Sequence, residues 1–357
     1  MTSIRSLLAR FAKAEVPGAP DAEMVVAPET AEDAAALLDL CSEHGMRVRI
    51  WGTGSRAGIG HAFEPDVVLS THRLAALVDW QPGDLTVTVE GGHPVDPLAG
   101  MLAERRQTAL LPAGGTVGGV VATGASAYER LRYGPTRDRM LEVVLATGDG
   151  RVVRAGGRVV KNVTGFDIPR LACGSLGSFG VICSVTLKLW PRPEAAATVA
   201  VDDAEAALAT AYRPLAVLSG SFGARVFLQG TAAEVEGQAS RLGGTATHGH
   251  QWPEPVDGDL VAEIRVPPAD LPEALGRIDG PNVAQHGVGI VTVADPGDPG
   301  SLRRWAEERG GSLVVLKTSG GLDPWGTPPA TVALQRRVKA AFDPLGVCNP
   351  GILPGGV

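Results

Sequence analysis

The run Leu111-Pro112-Ala113-Gly114-Gly115-Thr116-Val117-Gly118-Gly119-Val120-Val121-Ala122-Thr123-Gly124-Ala125-Ser126 constrains this chain most. Small side chains leave the backbone bare over many successive residues, which suits a long flat ligand lying along the chain and suits ordinary core packing poorly. The plainer alternative is a glycine-rich crossover with no ligand. A second glycine cluster lies upstream. There Arg47 to Trp51 reads as a strand running into Gly52-Thr53-Gly54-Ser55-Arg56-Ala57-Gly58-Ile59-Gly60, a turn whose consecutive N–H groups can converge on an anion such as a pyrophosphate. Its spacing is neither GxGxxG leading into a good helix nor a P-loop, since the lysine is missing.

At 357 residues the chain accommodates two domains with sizeable cores. Thirty-two basic against 39 acidic residues give a net charge of -7, which offers no broad positive field and argues against nucleic-acid binding. Cys41, Cys173, Cys183 and Cys348 stand far apart without CxxC or zinc spacing, so they read as small buried residues of a reducing cytosol. No apolar run reaches the roughly 18 residues that a membrane-spanning helix needs. Ile4, Leu7, Leu8 and Phe11 with Arg5, Arg10 and Lys13 read as a short basic amphipathic helix packed on the protein, not as a secretory signal.

Met24 to Gly52 reads as strand, helix, strand, with Thr30 and Asp33 as a capping box and Gly45 ending the helix. Leu141 to Thr147 and Arg151 to Ala155, joined by Gly148-Asp149-Gly150, predict a hairpin. After Gly174-Ser175-Leu176-Gly177-Ser178-Phe179-Gly180, residues 181–189 alternate apolar and polar, which predicts one buried and one wet face. Pro191 and Pro193 are expected to close this domain, because neither continues a ladder. From Ala197 to Trp325 short strands alternate with helices: Val199 and Val201, Leu215 to Leu218, Val226 to Gln229, Leu260 to Val266, Val288 to Val293 and Leu313 to Lys317. A final helix, Thr331 to Phe342, ends at Asp343-Pro344 and gives way to a turn-rich tail.

This order of elements resembles the FAD-binding oxidoreductases of the vanillyl-alcohol-oxidase/p-cresol-methylhydroxylase (PCMH-type) superfamily over nearly the whole chain. The resemblance implies an α+β fold: a two-subdomain PCMH-type FAD-binding domain (1–194), a small α+β cap domain (195–326), and a C-terminal helix and tail (327–357) returning to the flavin domain. It assigns the pyrophosphate to Gly52, Thr53, Gly54, Ser55 and Arg56. The ribityl and isoalloxazine portions fall along Pro112, Gly114, Gly115, Thr116, Val117, Gly118, Gly119, Thr123, Ala125 and Ser126. The Gly177, Gly180, Val181, Ile182 segment would cover the flavin, and the FDP…NPG-like ending would bring Asn349 to it. Ser55 stands where some relatives carry a histidine bonded to the flavin, so FAD is expected to be non-covalent; His61 is out of register. Many relatives carry an Asn and a final Gly where Gly124-Ala125-Ser126-Ala127 stands, and Ile352 stands where an Arg is frequent.

Arg158 to Ile168 with Gly174-Ser175, the length and the short cap are similar to the FAD-binding subunits of bacterial glycolate oxidase. That resemblance implies a 2-hydroxy acid substrate, a catalytic flavin subunit and an iron–sulfur subunit as partners, and a cytoplasmic location with any membrane association supplied by a partner. Oxidation of a hydroxy acid needs a base, a cation for the carboxylate and a hydride acceptor. The sequence offers no unambiguous catalytic set. Lys161, Arg132, Arg137 and Arg139 are candidates to approach the flavin, each weighed against a solvated or structural charge. His248 and His250 read as a surface loop rather than a metal site, His286 has no evident partner, and Trp252 and Asp323-Pro324-Trp325 read as loop anchors. The alternatives are a self-contained FAD oxidoreductase acting on another small substrate, and an assembly subunit that keeps the fold.

Overall fold

The computed structural model describes residues 11, 16, 18–158, 165–318 and 320–357. The predicted N-terminal helix and the stretch 159–164, with Lys161, lie outside the described residues except for Phe11. Phe11 is buried in the cluster that includes Val26 and Leu69, and its carbonyl accepts from Ala27 N at 2.7 Å.

Thr30 accepts from Asp33 N at 3.0 Å and opens the helix Ala31–Glu43, whose Ala34, Ala35, Leu37, Leu38 and Cys41 face inward. They share a core with a three-stranded parallel sheet on one side and with Met140–Thr147 and Gly180–Lys188 on the other. The strands flanking this helix, Met24–Val26 and Val48–Trp51, do not pair with each other. Val67–Ser70 lies between them, parallel to both, so the strand–helix–strand unit is completed by a later piece of chain.

A five-stranded antiparallel sheet follows in the order Leu77–Gln81, Thr86–Glu90, Gly180–Lys188, Met140–Thr147, Val152–Gly156. The last two form the predicted hairpin, with Gly150 at φ +77° in its turn. The expectation of one wet face on the strand after Gly180 holds only in part: Lys188 is exposed and Ser184 half-buried, but Thr186 is not wet. This strand is central, Thr186 is buried, and its hydroxyl donates to Glu142 at 2.8 Å and meets Thr88 Oγ1 at 2.8 Å. Arg158, in ion pairs to Asp79 and to Glu142 at 3.2 Å, reaches across that face to Thr88 Oγ1 at 2.7 Å and covers Thr186. Nor does Pro191 lie outside every ladder, as its missing N–H suggested: Trp190–Pro191 pairs with Gln107–Thr108 in a two-stranded edge where no donation from Pro191 is required.

Residues from Ala195 onward build an eight-stranded sheet in the order Thr245–His248, Ala195–Val201, Gly223–Gly230, Ala216–Gly220, Asn282–Gln285, Ile290–Ala294, Val261–Arg265, Ser312–Lys317, with every pairing antiparallel. Thr245–His248 and Asn282–Gln285 had no apolar alternation to reveal them. The strand expected from Val288 begins at Ile290, because Gly287 and Gly289 turn the chain at φ +74° and +78°. Helices Ala204–Thr210, Ala232–Leu242 and Pro299–Glu308 pack on this sheet. Thr231 and Glu234 form a reciprocal capping box at the start of Ala232–Leu242. Thr231→Ala is therefore expected to lower stability by about 1 kcal/mol, read as a shift in the urea midpoint with unchanged slope.

The helix Val332–Phe342 ends at Asp343, and the tail then runs back to the parallel sheet. Val48 N donates to Val347 O at 2.8 Å and Asn349 N to Val48 O at 2.9 Å, which lays Cys348 alongside Val48 in parallel register.

Candidate functional site

A groove runs between the end of the strand Val48–Trp51 and the helix Val117–Thr123. Its walls are Gly52, Thr53, Gly54, Ser55 and Arg56 on one side and Thr116, Gly118, Gly119, Ala122 and Thr123 on the other, with Leu176, Gly177, Ile182 and Asn349 closing it. Thr116 accepts from Gly119 N at 3.1 Å, so its side chain opens the helix while its backbone borders the groove. A Cβ on Gly52 would lie 2.7 Å from Thr116 Oγ1, which is why the two segments approach so closely. Among the described residues no protein acceptor faces the amides of Thr53, Gly54, Ser55 and Arg56. Unpaired amides in succession at a turn make an anion-binding concavity. Trp51 Nε1 is buried beside them, also without a partner among the described residues.

Asn349 holds the tail in the groove. Its Oδ1 accepts from Ile50 N at 3.0 Å and its Nδ2 donates to Leu176 O at 2.6 Å. The local backbone sits at φ +42°, a conformation Asn tolerates better than most residues. Beneath it, Lys339 Nζ reaches Ser178 O and Cys348 O at 2.8 Å each and Asp343 Oδ2 at 2.9 Å. Asp343 in turn accepts from Val347 N at 3.0 Å and Cys348 N at 2.9 Å. This buried lock has no counterpart in the sequence reading; the Lys-x-x-x-Asp spacing on the last helix was its only signal.

The predicted positions divide. Gly52 to Arg56, Thr116, Gly118, Gly119, Thr123, Gly177, Gly180, Ile182 and Asn349 border the groove, while Ala125 and Ser126 border a wider cleft that opens from it. Val117 and Val181 bury their side chains in the core, so only their backbones are available. Gly114 and Gly115 stand beside the groove, while Pro112 is not among the residues that line it. Gly114 O accepts from Arg56 at 3.3 Å, and a Cβ on Gly115 would meet Ser55 Oγ at 2.5 Å. Ile50, Thr71, Leu176 and Ile352 line the site without a glycine to announce them.

The cleft has a volume of about 530 Å³ and lies between the glycine-rich segments and the eight-stranded sheet. Of the candidate arginines only Arg137 faces it. Arg139 is buried, donating to Leu110 O and to Gly134 O at 2.7 Å, and burial lowers its pKa to about 10; it is a loop clamp. Arg132 donates to Arg213 O and Gln229 O at 3.2 and 3.3 Å, fastening its short helix to the eight-stranded sheet. Arg130, Arg265 and Glu263, which the sequence reading did not single out, also face the cleft. Cys173 lines it too, its thiol pushed up to about 11 by burial.

The histidines do not gather there. His250 packs against Trp252 and Phe227, with Nε2 3.0 Å from Leu228 O. His286, expected to lack a partner, stands between Ser219 Oγ at 2.7 Å and Glu205 Oε1 at 2.6 Å, and ties the helix Ala204–Thr210 to the sheet. His61 bridges Asp323 at 2.9 Å and Gly351 O at 3.1 Å, and so anchors the glycine turn to the tail. Among the described residues no group of three His, Cys, Asp or Glu side chains is arranged to hold a metal ion, and no helix is long and apolar enough to cross a membrane.

Residues 22–156 match the family model of an FAD binding domain. The chain is 27% identical to glycolate oxidase subunit GlcE of Escherichia coli, over 85% of this chain and 91% of that one. It is 31% identical to glycolate oxidase subunit GlcD of Bacillus subtilis, over 50% of this chain and only 39% of that one. With D-lactate dehydrogenase of Archaeoglobus fulgidus the identity is 31%, over 49% of this chain and 40% of that one. Among solved structures, an alkyldihydroxyacetonephosphate synthase superposes over 92% of this chain and 76% of its own, with a TM-score of 0.66 at 15% identity, a likeness of fold.

Proposed function

We propose that the chain, whose residues 22–156 match an FAD binding domain, is an FAD-binding oxidoreductase of the PCMH type and serves as the FAD-binding subunit of a glycolate or related D-2-hydroxy acid dehydrogenase. FAD is its cofactor, and hydroxy acid oxidation is the chemistry of its relatives. The observation that carries the subunit reading is the alignment with glycolate oxidase subunit GlcE across 91% of that protein, where the alignment with GlcD stops at 39%.

The residues fit the cofactor. The unpaired amides of residues 53–56 suit a pyrophosphate, the orphaned Trp51 Nε1 supplies a further donor beside them, and a Cβ at Gly52 would intrude between the two segments. In this reading Gly52 to Arg56 hold the pyrophosphate, Thr116 to Thr123 line the path of the ribityl chain, and Ala125, Ser126 and Asn349 stand nearer the ring. Residues 1–194 then serve as the flavin domain, 195–326 as the cap and 327–357 as the returning tail. Ser55 cannot form the flavin bond a histidine can, so the cofactor is held by hydrogen bonds and packing alone. Bound FAD supplies the acceptor for the hydride of the hydroxyl-bearing carbon. The chain's part is to orient the acid in the cleft with arginines from both walls and to limit water there. In this proposal the electrons then pass to an iron–sulfur partner, as the sequence resemblance implies.

The D-lactate dehydrogenase relative favours a second reading, a chain that turns over a substrate unaided. Absorbance of the purified protein before and after acid precipitation, then anaerobic addition of glycolate and D-lactate, separates the two. Flavin bands that move to the supernatant are expected. Bleaching that continues to an artificial acceptor without any partner favours the unaided enzyme; co-purification of an iron–sulfur protein and dependence on it favour the subunit. A colourless protein that refuses added FAD defeats both.

A further inference from the structure

The cleft carries more positive charge than oxidation of a simple hydroxy acid requires. Four guanidinium groups line it, those of Arg56, Arg130, Arg137 and Arg265, against one carboxylate, Glu263. Two of the four are engaged. Arg56 donates to the carbonyls of Ala113 and Gly114 at 3.4 and 3.3 Å, and Arg265 Nε pairs with Glu263 at 2.6 Å. The other two are not matched. Arg137 has Asp138 at 3.8 Å, the limit of an ion pair, and Asp138 is shared with Arg170 at 3.4 Å. Among the described residues the half-buried Arg130 side chain meets no hydrogen-bond acceptor; its charged neighbours are Glu263, which Arg265 already pairs, and the like charges of Arg265 and Arg137. Burial lowers its pKa, which is the cost of keeping a guanidinium there unpaired.

One carboxylate is satisfied by one bidentate arginine. A monocarboxylate paired with one of these arginines would leave the others to share Glu263 and Asp138. We propose that the substrate of this cleft is a 2-hydroxy acid bearing a second anionic group, gripped by Arg130 and Arg137 from one wall and by Arg265, steadied by Glu263, from the eight-stranded sheet. The proposal rests on the reading of the cleft as the place of hydroxy acid oxidation. It narrows the substrate class from glycolate-like monoanions to dianions, and it makes ligand binding bridge the two halves of the chain.

The test is calorimetric titration of the FAD-loaded protein with acetate, malonate and inorganic phosphate, none of which can be oxidised at a hydroxyl-bearing carbon. Malonate is expected to bind at least about tenfold tighter than acetate, the worth of one added charge-assisted contact. Arg130→Gln and the exposed Arg137→Gln should each remove about tenfold of malonate affinity. Acetate should weaken less, and retained flavin absorbance verifies that both variants fold. Phosphate binding tighter than malonate would keep the dianion and assign its second group as a phosphoryl. Malonate and acetate of equal affinity, no binding of any probe, or variants that leave malonate unaffected would overturn the proposal. Because these probes are not turned over, failure here is separate from failure of the dehydrogenase reading, which is judged by flavin bleaching with 2-hydroxy acids.

Discussion

Asp343→Ala is expected to destabilise the protein by about 3–5 kcal/mol, the range for removing one partner of a buried ion pair. Asp343 is fully buried, and its two oxygens accept from the amides of Val347 and Cys348 and from Lys339 Nζ. The substitution leaves two backbone donors without their acceptor and a buried ammonium with only the carbonyls of Ser178 and Cys348. Set against a typical total of about 5–15 kcal/mol, this is a large fraction. The effect should also reach the cofactor. The same segment carries Asn349 into the groove, so FAD content and the urea midpoint should fall together. An unfolding free energy within about 1 kcal/mol of wild type would mean that the tail is held by its backbone ladder to Val48 and not by this lock.

Gly118→Val is expected to yield protein that retains little or no FAD. A Cβ at this position would lie 2.7 Å from Gly91 O, and the Gly118 amide donates to that same oxygen at 2.7 Å. Gly91 cannot retreat, because its own missing Cβ would fall 1.9 Å from Ile182 O. Three backbones are thus stacked where no flexible side chain can yield, and overpacking of that kind costs about 1–3 kcal/mol or more. The physical reason differs from the one the glycine run suggests: the side chain would strike the protein before it reached the ligand, and would push the helix Val117–Thr123 out of the groove wall. Gly54→Val offers the comparison. There φ is +75° and a Cβ would stand 2.5 Å from the Trp51 ring, so the damage should stay in the turn, costing about 1–3 kcal/mol, and flavin should be lost. Full flavin occupancy in both variants would refute the location of the site.

Local grammar made much of this legible. The hairpin around Gly150, the cap at Thr30, the last helix and the two glycine segments follow from turn chemistry, capping and periodicity, which act over a few residues. Failures came where the deciding contact is distant. Arg139 and Arg132 look like free cations in the sequence and are structural clamps on backbone carbonyls of other segments. His286 finds Glu205 and Ser219, each more than sixty residues away. Thr186 sits at a polar position of an alternating strand, yet Arg158 and Glu142 cover it.

What the sequence determined by itself is where the backbone is bare and where it turns, because glycine, proline and capping side chains express their preferences without help from the rest of the chain. From that came the groove, its turn of unpaired amides and the family resemblance. Only the tertiary structure decided which charges are spent on the protein and which remain for a ligand. Pairing of a guanidinium depends on acceptors brought in from other elements, and Arg130, Arg132, Arg137 and Arg139 lie within ten residues yet meet different fates: two clamp carbonyls, and two line the cleft with charge to spare.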